Sequence, residues 1–302
     1  MRRPPLLGYL TFNRLGYVIQ SITALLQTTD DFELCFIDNF SQDKTWDYIN
    51  SLTDPRIKIR KRLDSNVGGS AGFNHALLNR KEDQDFVTVE TCCVIKTKNF
   101  ISIFNSILED DNTIGGLSGT YSKGRDQLNY LKSLKSSHPE NFKKIGNYEI
   151  YKLGVWGFCL ILRHEVLNKF GFFDEVSYGG DIDFNERIIK GLNKELGYVF
   201  DVECAHLEKD DVTCIKCMQT QSICLGNDLC KKYYDNFIRQ FYDTHHLTIG
   251  KIITERTNSK KVFCDTIFRE NSSLTTEEKE IAERNIRFFS EEYEKHIKKI
   301  NI

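Results

Sequence analysis

Short apolar runs alternate with stretches whose apolar side chains recur at helical spacing through the first third of the chain. "LLGYLTF" (Leu6 to Phe12) predicts a buried strand. "RLGYVIQSITALLQT" follows, with Val18, Ile22, Leu25 and Leu26 on one helical face. "FELCFID" (Phe32 to Asp38) predicts a second buried strand. It leads into "DNFSQDKT", a polar turn suited to capping a helix that begins near Lys44. "RIKIRKR" (Arg56 to Arg62) is a third strand, and "SNVGGSAGFNHALLNR" is a glycine-rich turn entering a helix. "FVTVE" predicts a fourth strand and "FISIFNSILED" another amphipathic helix. This alternation is the pattern of a parallel α/β sheet.

The middle of the chain is less regular. "YLKSLKSSHPENFKK" reads as a polar excursion, and "LGVWGFCLILR" (Leu153 to Arg163) as a buried strand. "HEVLNKFGFFDE" predicts a short helix and turn. "GGDIDFNERIIKGL" predicts a turn and helix, and "LGYVFDVECAHLE" a strand running out to His206. Near the C-terminus, Thr275 and Glu278 form a capping-box pattern. The helix after it lines up Ala282, Ile286, Phe289, Tyr293, Ile297 and Ile300, a face for docking onto the main domain or, alternatively, for a dimer.

With 302 residues, 40% hydrophobic and 28% charged, the chain has the composition of a soluble globular protein. A net charge of −2 excludes nucleic-acid binding by bulk charge. "KIRKR" (Lys58 to Arg62) is a local basic stretch that reads as a solvated strand face. No apolar run approaches the roughly 20 residues needed to span a bilayer. The N-terminal stretch has no signal-peptide core or cleavage site, so a cytoplasmic location is expected. In that compartment the 10 cysteines are expected to be reduced or metal-bound.

In open α/β sheets, ligands bind beyond the carboxyl ends of the strands. Those ends here are Thr11 to Arg14, Asp38-Asn39, Asp64 to Gly69, and Glu90 to Cys93. Asp38 can accept hydrogen bonds from a base or ribose. Gly68-Gly69, just before a helix, offers backbone N–H groups and close approach to a phosphate. Each feature alone is weak, and a glycine pair before a helix is usually only a tight turn.

In this order they are specific. "TFNRLGYVIQSITALLQT", "FELCFIDNFSQDKT", "SNVGGSAGFNHAL", "GFCLILRHEVLNKFGFFDEVSYGGDIDFNERI" and "AHLE" together resemble the family 2 glycosyltransferases of the GT-A fold, from about Leu6 to His206. The resemblance implies an α/β, Rossmann-like, mostly parallel sheet flanked by helices. It also implies inverting transfer of a sugar from a nucleotide-diphosphate sugar, usually a UDP-sugar, to a hydroxyl acceptor. Thr11, Asn13 and Arg14 fall where the family lines the nucleotide pocket, and Asp38 where it holds the base. Asn66, Gly68 and Gly69 fall where it approaches the ribose, diphosphate or sugar. Asp181, in "GGDIDF", falls on the catalytic base, while Gly180 departs from the acid the family has before it. Without the resemblance Asp181 reads as a helix N-cap, and Asp183 as a brace of the same helix.

The family ends its fourth strand in Asp-X-Asp, which holds a divalent metal, Mg²⁺ or Mn²⁺, against the diphosphate. Here Glu90-Thr91-Cys92 or Thr91-Cys92-Cys93 occupies that triplet, with only one acid. Cysteine is a poor ligand for these oxygen-seeking ions. The active-site metal, with Glu90, Cys93 and His206 as its candidate ligands, is therefore expected to be weakened or absent. Arg14, Lys96 and Lys98 are candidate cations for the leaving diphosphate in its place. Asp83-Gln84-Asp85 matches the motif literally but precedes the strand, at the wrong end of the sheet.

Trp156 suits either the acceptor side, stacked on a sugar, or the core. Cys214, Cys217, Cys224 and Cys230 have the spacing C-x2-C-x6-C-x5-C, which suits a closed structural zinc site. Small buried cysteines are the alternative reading. The expected organisation is a glycosyltransferase domain over 1–210, with nucleotide-sugar binding over 1–120 and the acceptor side and base over 121–210. A Cys-rich segment over 211–232 and a helical C-terminal extension over 233–302 follow. The acceptor stays open among a glycan, a protein and a modified nucleic acid. A non-catalytic nucleotide-sugar binding or scaffold protein is the rival of another class.

Overall fold

The structure is a computed structural model that describes residues 3–123, 127–177, 180–207 and 261–292. A ten-stranded mixed sheet runs through it. Its strands are β1 (Leu6–Thr11), β2 (Glu33–Asp38), β3 (Ile57–Arg62), β4 (Phe86–Glu90), β5 (Cys93–Ile95), β6 (Ile114–Lys123), β7 (Phe142–Ile145), β8 (Tyr148–Lys152), β9 (Cys159–Leu162) and β10 (Glu195–His206). Their order is β3-β2-β1-β4-β9-β6-β10-β8-β7, and β5 pairs with β10. β3, β2, β1 and β4 are parallel; β9 is inserted antiparallel between β4 and β6, and β10 is again parallel to β6. The mostly parallel α/β sheet expected from the sequence is therefore present.

The flanking helices are α1 (Leu15–Leu26), α2 (Thr45–Ser51), α3 (Gly69–Leu77), α4 (Phe100–Asp110), α5 (Gln127–Ser133), α6 (His164–Phe170), α7 (Gly180–Glu186) and α8 (Thr276–Arg287). Strands β1, β2 and β4 are buried along nearly their whole length. This is why they read as continuous apolar runs rather than alternating ones. β3 lies at the sheet edge and is largely exposed, as "KIRKR" suggests.

Several elements escape the sequence pattern. β6 contains "IGGLSG", whose glycines weaken a strand signal. At Gly116 a Cβ would lie 2.6 Å from Leu162 Cδ2 and 2.7 Å from the Ile161 carbonyl, so close strand packing requires the glycine. The polar excursion, Tyr130 to Lys144, holds the end of α5 and most of β7, the first strand of the β7–β8 hairpin. The buried strand expected from Leu153 to Arg163 is only Cys159–Leu162; residues 153–158 form a loop instead. Lys98, a candidate phosphate cation, lies at the far edge of the sheet. Antiparallel β5 carries the chain back there, so Thr29 N–H donates to the Lys98 carbonyl (2.8 Å) and Lys98 Nζ meets Gln27 Oε1 (3.2 Å). Asp83-Gln84-Asp85 likewise lies before β4. Asp85 receives His164 N–H (2.8 Å), and Asp83 pairs with Arg3 (3.1 Å).

The C-terminal stretch docks as the apolar stripe suggests, although a polar residue holds it. α8 carries a complete capping box between Thr275 and Glu278. Ala282 and Asn285 are fully buried, and Asn285 Nδ2 donates to the Glu175 and Val176 carbonyls (2.9 and 2.8 Å). Tyr293, Ile297 and Ile300 lie outside the described residues, as do Cys214, Cys217, Cys224 and Cys230. Among the described residues no helix is long and apolar enough to cross a membrane.

Candidate active site

The carboxyl ends of β1, β2, β4, β6 and β10 gather the candidate residues at one edge. Three of the four described non-glycine residues with left-handed backbone lie there: Asn13 (φ 55°), Arg14 (φ 64°) and Phe40 (φ 68°). Such a conformation costs roughly 1–2 kcal/mol for an ordinary residue, and strain of this kind collects at functional sites. A dense polar net holds it in place. Asp38 is fully buried and accepts hydrogen bonds from Thr11 Oγ1 (3.0 Å), Ser41 N–H (3.1 Å) and the Ser41 hydroxyl, and Arg62 Nε lies 3.4 Å away. Burial raises its pKa, opposed by the Ser41 and Thr11 bonds and by the Arg62 charge. Asn13 N–H donates to Ser41 Oγ (2.8 Å) and Asn13 Oδ1 accepts from Gln42 N–H (2.7 Å). Asn13 Nδ2, also buried, has no partner among the described residues. Arg14 sits over the Tyr17 ring, 5.6 Å from its centroid.

Asn39 ties this net to the glycine turn. Its Oδ1 accepts from Val67 N–H (2.8 Å), and its Nδ2 donates to Asn66 Oδ1 (2.8 Å) and to the Gly68 carbonyl (3.2 Å). Asn66 Oδ1 also receives Gly68 N–H (2.9 Å). Gly68 has φ 80° and ψ −178°, a region essentially restricted to glycine. α3 then begins at Gly69 without any side-chain cap, leaving its first-turn N–H groups for an anion. Ser41 and Arg62 join this net although the sequence reading did not single them out, and Asn39 was named there only as a strand end. Ser41 lies in the polar run "NFSQD", read as a helix-capping turn, and Arg62 in "KIRKR", read as a solvated strand face.

On the other side of the edge, β9 begins where β4 ends, with Glu90 N–H donating to the Phe158 carbonyl (3.0 Å). This places the loop before β9 at the site. Thr88 hydroxyl binds the Gly157 carbonyl, Ser118 Oγ donates to the Trp156 carbonyl (3.1 Å), and Trp156 N–H donates to Tyr198 Oη (3.0 Å). Trp156 itself stays 43% exposed. Asp181, in the first turn of α7, accepts Gly157 N–H at Oδ1 (3.2 Å). Asn185, one turn on, donates to the Asp181 carbonyl (2.6 Å) and binds both backbone groups of Val155 (2.9 Å each). Burial raises the Asp181 pKa to about 6, only partly offset by the Gly157 bond. Gly180 has φ 52°, which gives the missing acid a local reason: the backbone there favours glycine. Asp183 points the other way, into a buried ion pair with Arg187 (2.7 Å).

The β4–β5 turn corrects one expectation. Glu90 is exposed and receives Cys92 Sγ at 3.6 Å, Thr91 is half-buried, and Leu207 N–H donates to the Cys92 carbonyl (2.7 Å) beside His206. His206 is buried with its ring edge-on to Tyr121 (4.8 Å between centroids). Cys93, however, is fully buried and turned into the sheet, where its sulfur meets those of Cys159 and Cys204. Although Cys93 stands directly opposite His206 in the β5–β10 pair, its sulfur is engaged by two other buried thiols, whereas Glu90, at the end of β4, is exposed. The turn therefore presents a single carboxylate, a poor donor set for Mg²⁺ or Mn²⁺. Lys96 Nζ is held by Ser122 Oγ (3.2 Å).

The "Glycosyl transferase family 2" sequence model matches residues 10–171. Three similar solved structures share the fold at low identity. A mannosyltransferase from Pyrobaculum calidifontis, in complex with GDP-Man and Mn²⁺, superposes at TM-score 0.53 with 16% identity, over 70% of this chain and 59% of that one. GalNAc-T7 with UDP, GalNAc and Mn²⁺ gives 0.53 and 13%, over 68% and 44%. S. aureus TarS 1–349 with UDP-GlcNAc gives 0.54 and 12%, over 95% and 72%. The chain thus spans 59% and 44% of the length of the first two. No curated protein matches it.

Proposed function

Because the chain belongs to glycosyl transferase family 2 and is a glycosyltransferase, we propose that it moves a sugar from a nucleotide-diphosphate sugar, UDP-linked by preference, to an acceptor hydroxyl with inversion. The observation that carries this reading is Asp181. It is a partly buried carboxylate with its pKa raised to about 6, fixed beside the loop that meets the end of β4. A base of that strength accepts the acceptor's proton as the oxygen attacks the anomeric carbon, while remaining ionised at neutral pH. The nucleotide lies over the β1 and β2 ends. Asn13 Nδ2 donates to an oxygen of the base or ribose, since a buried amide without a partner is a group that a ligand satisfies. Asp38 works from beneath by ordering Thr11, Ser41 and Arg62. The diphosphate lies at the turn of Asn66, Gly68 and Gly69, facing the uncapped N-terminus of α3, with Arg14 as its cation.

No step is routed through a divalent ion, because the turn offers only Glu90 as a carboxylate. Incubation with a panel of nucleotide-sugars, followed by assay of free nucleoside diphosphate, tests the whole reading. Release is expected with at least one donor and is expected to persist in EDTA. Turnover abolished by EDTA and restored by Mn²⁺ would restore the metal-dependent mechanism. Donor binding without release under any condition would favour the non-catalytic binder. Exposed Trp156, next to the Asp181 partner Gly157, and exposed Ile182 flank the base and favour a glycan acceptor over a protein or nucleic acid. The pH dependence follows from the sign of the Asp181 shift. The ionised form is the active one, so kcat/KM is expected to rise with pH, reach half its plateau near the pKa of about 6, and fall about tenfold per unit below it. A profile flat down to pH 4 would remove Asp181 from the role.

A further inference from the structure

Beneath the β4–β5 turn, three strands that are far apart in sequence bring their cysteines to one point. Cys93 comes from β5, Cys159 from the start of β9 and Cys204 from β10, and their sulfurs all lie within 4.8 Å of one another. All three residues are fully buried. The space they share is kept open by a glycine. A Cβ at Gly119 of β6 would stand 3.2 Å from Cys204 Sγ and 3.0 Å from Val202 Cγ1.

We propose that Cys93, Cys159 and Cys204 form a closed binding site for one soft cation, zinc(II) or copper(I). Bonds of about 2.3 Å to three sulfurs would set those sulfurs about 4 Å apart, in keeping with the observed grouping. Thiolate donors select these ions over Mg²⁺ or Mn²⁺. Binding forms three sulfur–metal bonds and releases the remaining thiol protons to solvent. The site is fully covered, so the ion binds no substrate. It instead ties β5, β9 and β10 together under the turn that carries Glu90, and it loads as the chain folds rather than afterwards. Cys214, Cys217, Cys224 and Cys230 carry thiols that would bind the same ions, so they are replaced in the experiment.

The test uses the full chain with Cys214, Cys217, Cys224 and Cys230 changed to serine. It is unfolded in chelator and reductant, then refolded with one equivalent of zinc(II) or, in a separate arm, of copper(I). About one retained ion per folded chain is expected in one arm, with ligation by three sulfurs in X-ray absorption. Cys159→Ala is expected to weaken retention by about 100-fold or more, since losing a ligand exceeds the roughly 10–100-fold cost of losing an outer-shell partner. Cys35→Ala should retain the ion. If Cys159→Ala fails to fold, the absorption spectrum of the folded parent decides. Oxygen and nitrogen neighbours, or no stoichiometric ion in either arm, would overturn the proposal and leave a cluster of hydrogen-bonded thiols.

Discussion

Asp181→Asn is expected to lower kcat/KM by about 10²–10⁴-fold, the usual contribution of a positioned general base, while donor affinity stays nearly unchanged. The substitution preserves shape. The amide oxygen still accepts Gly157 N–H, and the Asn185 bond to the residue 181 carbonyl is a backbone contact that the change does not touch. The loop that carries Trp156 should therefore keep its place, and only proton acceptance is lost. Nucleoside diphosphate release measured beside donor titration separates the two effects. A fully active variant would mean that another group takes the proton.

Arg187→Ala is expected to cost about 3–5 kcal/mol of folding stability, because it strands a buried partner. Arg187 and Asp183 have side chains only 4% and 5% exposed. The guanidinium also donates to the carbonyls of Phe170, Phe172 and Val262 (3.1, 3.0 and 3.2 Å) and lies 3.7 Å from the Phe170 ring centroid. One side chain thus fastens α7, which bears Asp181, to the end of α6 and to the C-terminal stretch. Set against a total stability of about 5–15 kcal/mol, the loss is enough to unfold a marginal domain. Lys190→Ala is the comparison: its pair with Glu186 is exposed and should contribute about 0.5 kcal/mol or less. Urea denaturation of the two variants checks the difference. Equal midpoints would show that the buried pair carries no such weight.

Asp181 and Arg187 also mark how far the sequence could be read. The parallel α/β core was legible because β1, β2 and β4 are buried on both faces and leave uninterrupted apolar runs. The capping box at Thr275 was legible because a cap is local, set by two side chains three residues apart. β6 was not, since its stability comes from neighbours fitting against glycines rather than from its own residues. The loop over residues 153–158 looked like strand because it is apolar, yet its backbone groups are satisfied by Thr88, Ser118, Tyr198 and Asn185 from four other elements. The sequence also grouped Cys93 with Glu90 and His206 as candidate metal ligands. Strand pairing instead brings the Cys93 sulfur to those of Cys159 and Cys204, contacts between strands far apart in the chain that no local pattern shows.

By itself the sequence determined the fold class and the order of the strand ends, since both follow from local periodicity and turn chemistry. It also showed that the fourth strand ends in a single acid. Only the tertiary structure decided what that strand end does. It exposes Glu90, joins it to the loop that holds Asp181, and buries Cys93 against Cys159 and Cys204. These juxtapositions arise from strand pairing across tens to a hundred residues, and no local pattern encodes which side chains such pairing brings together.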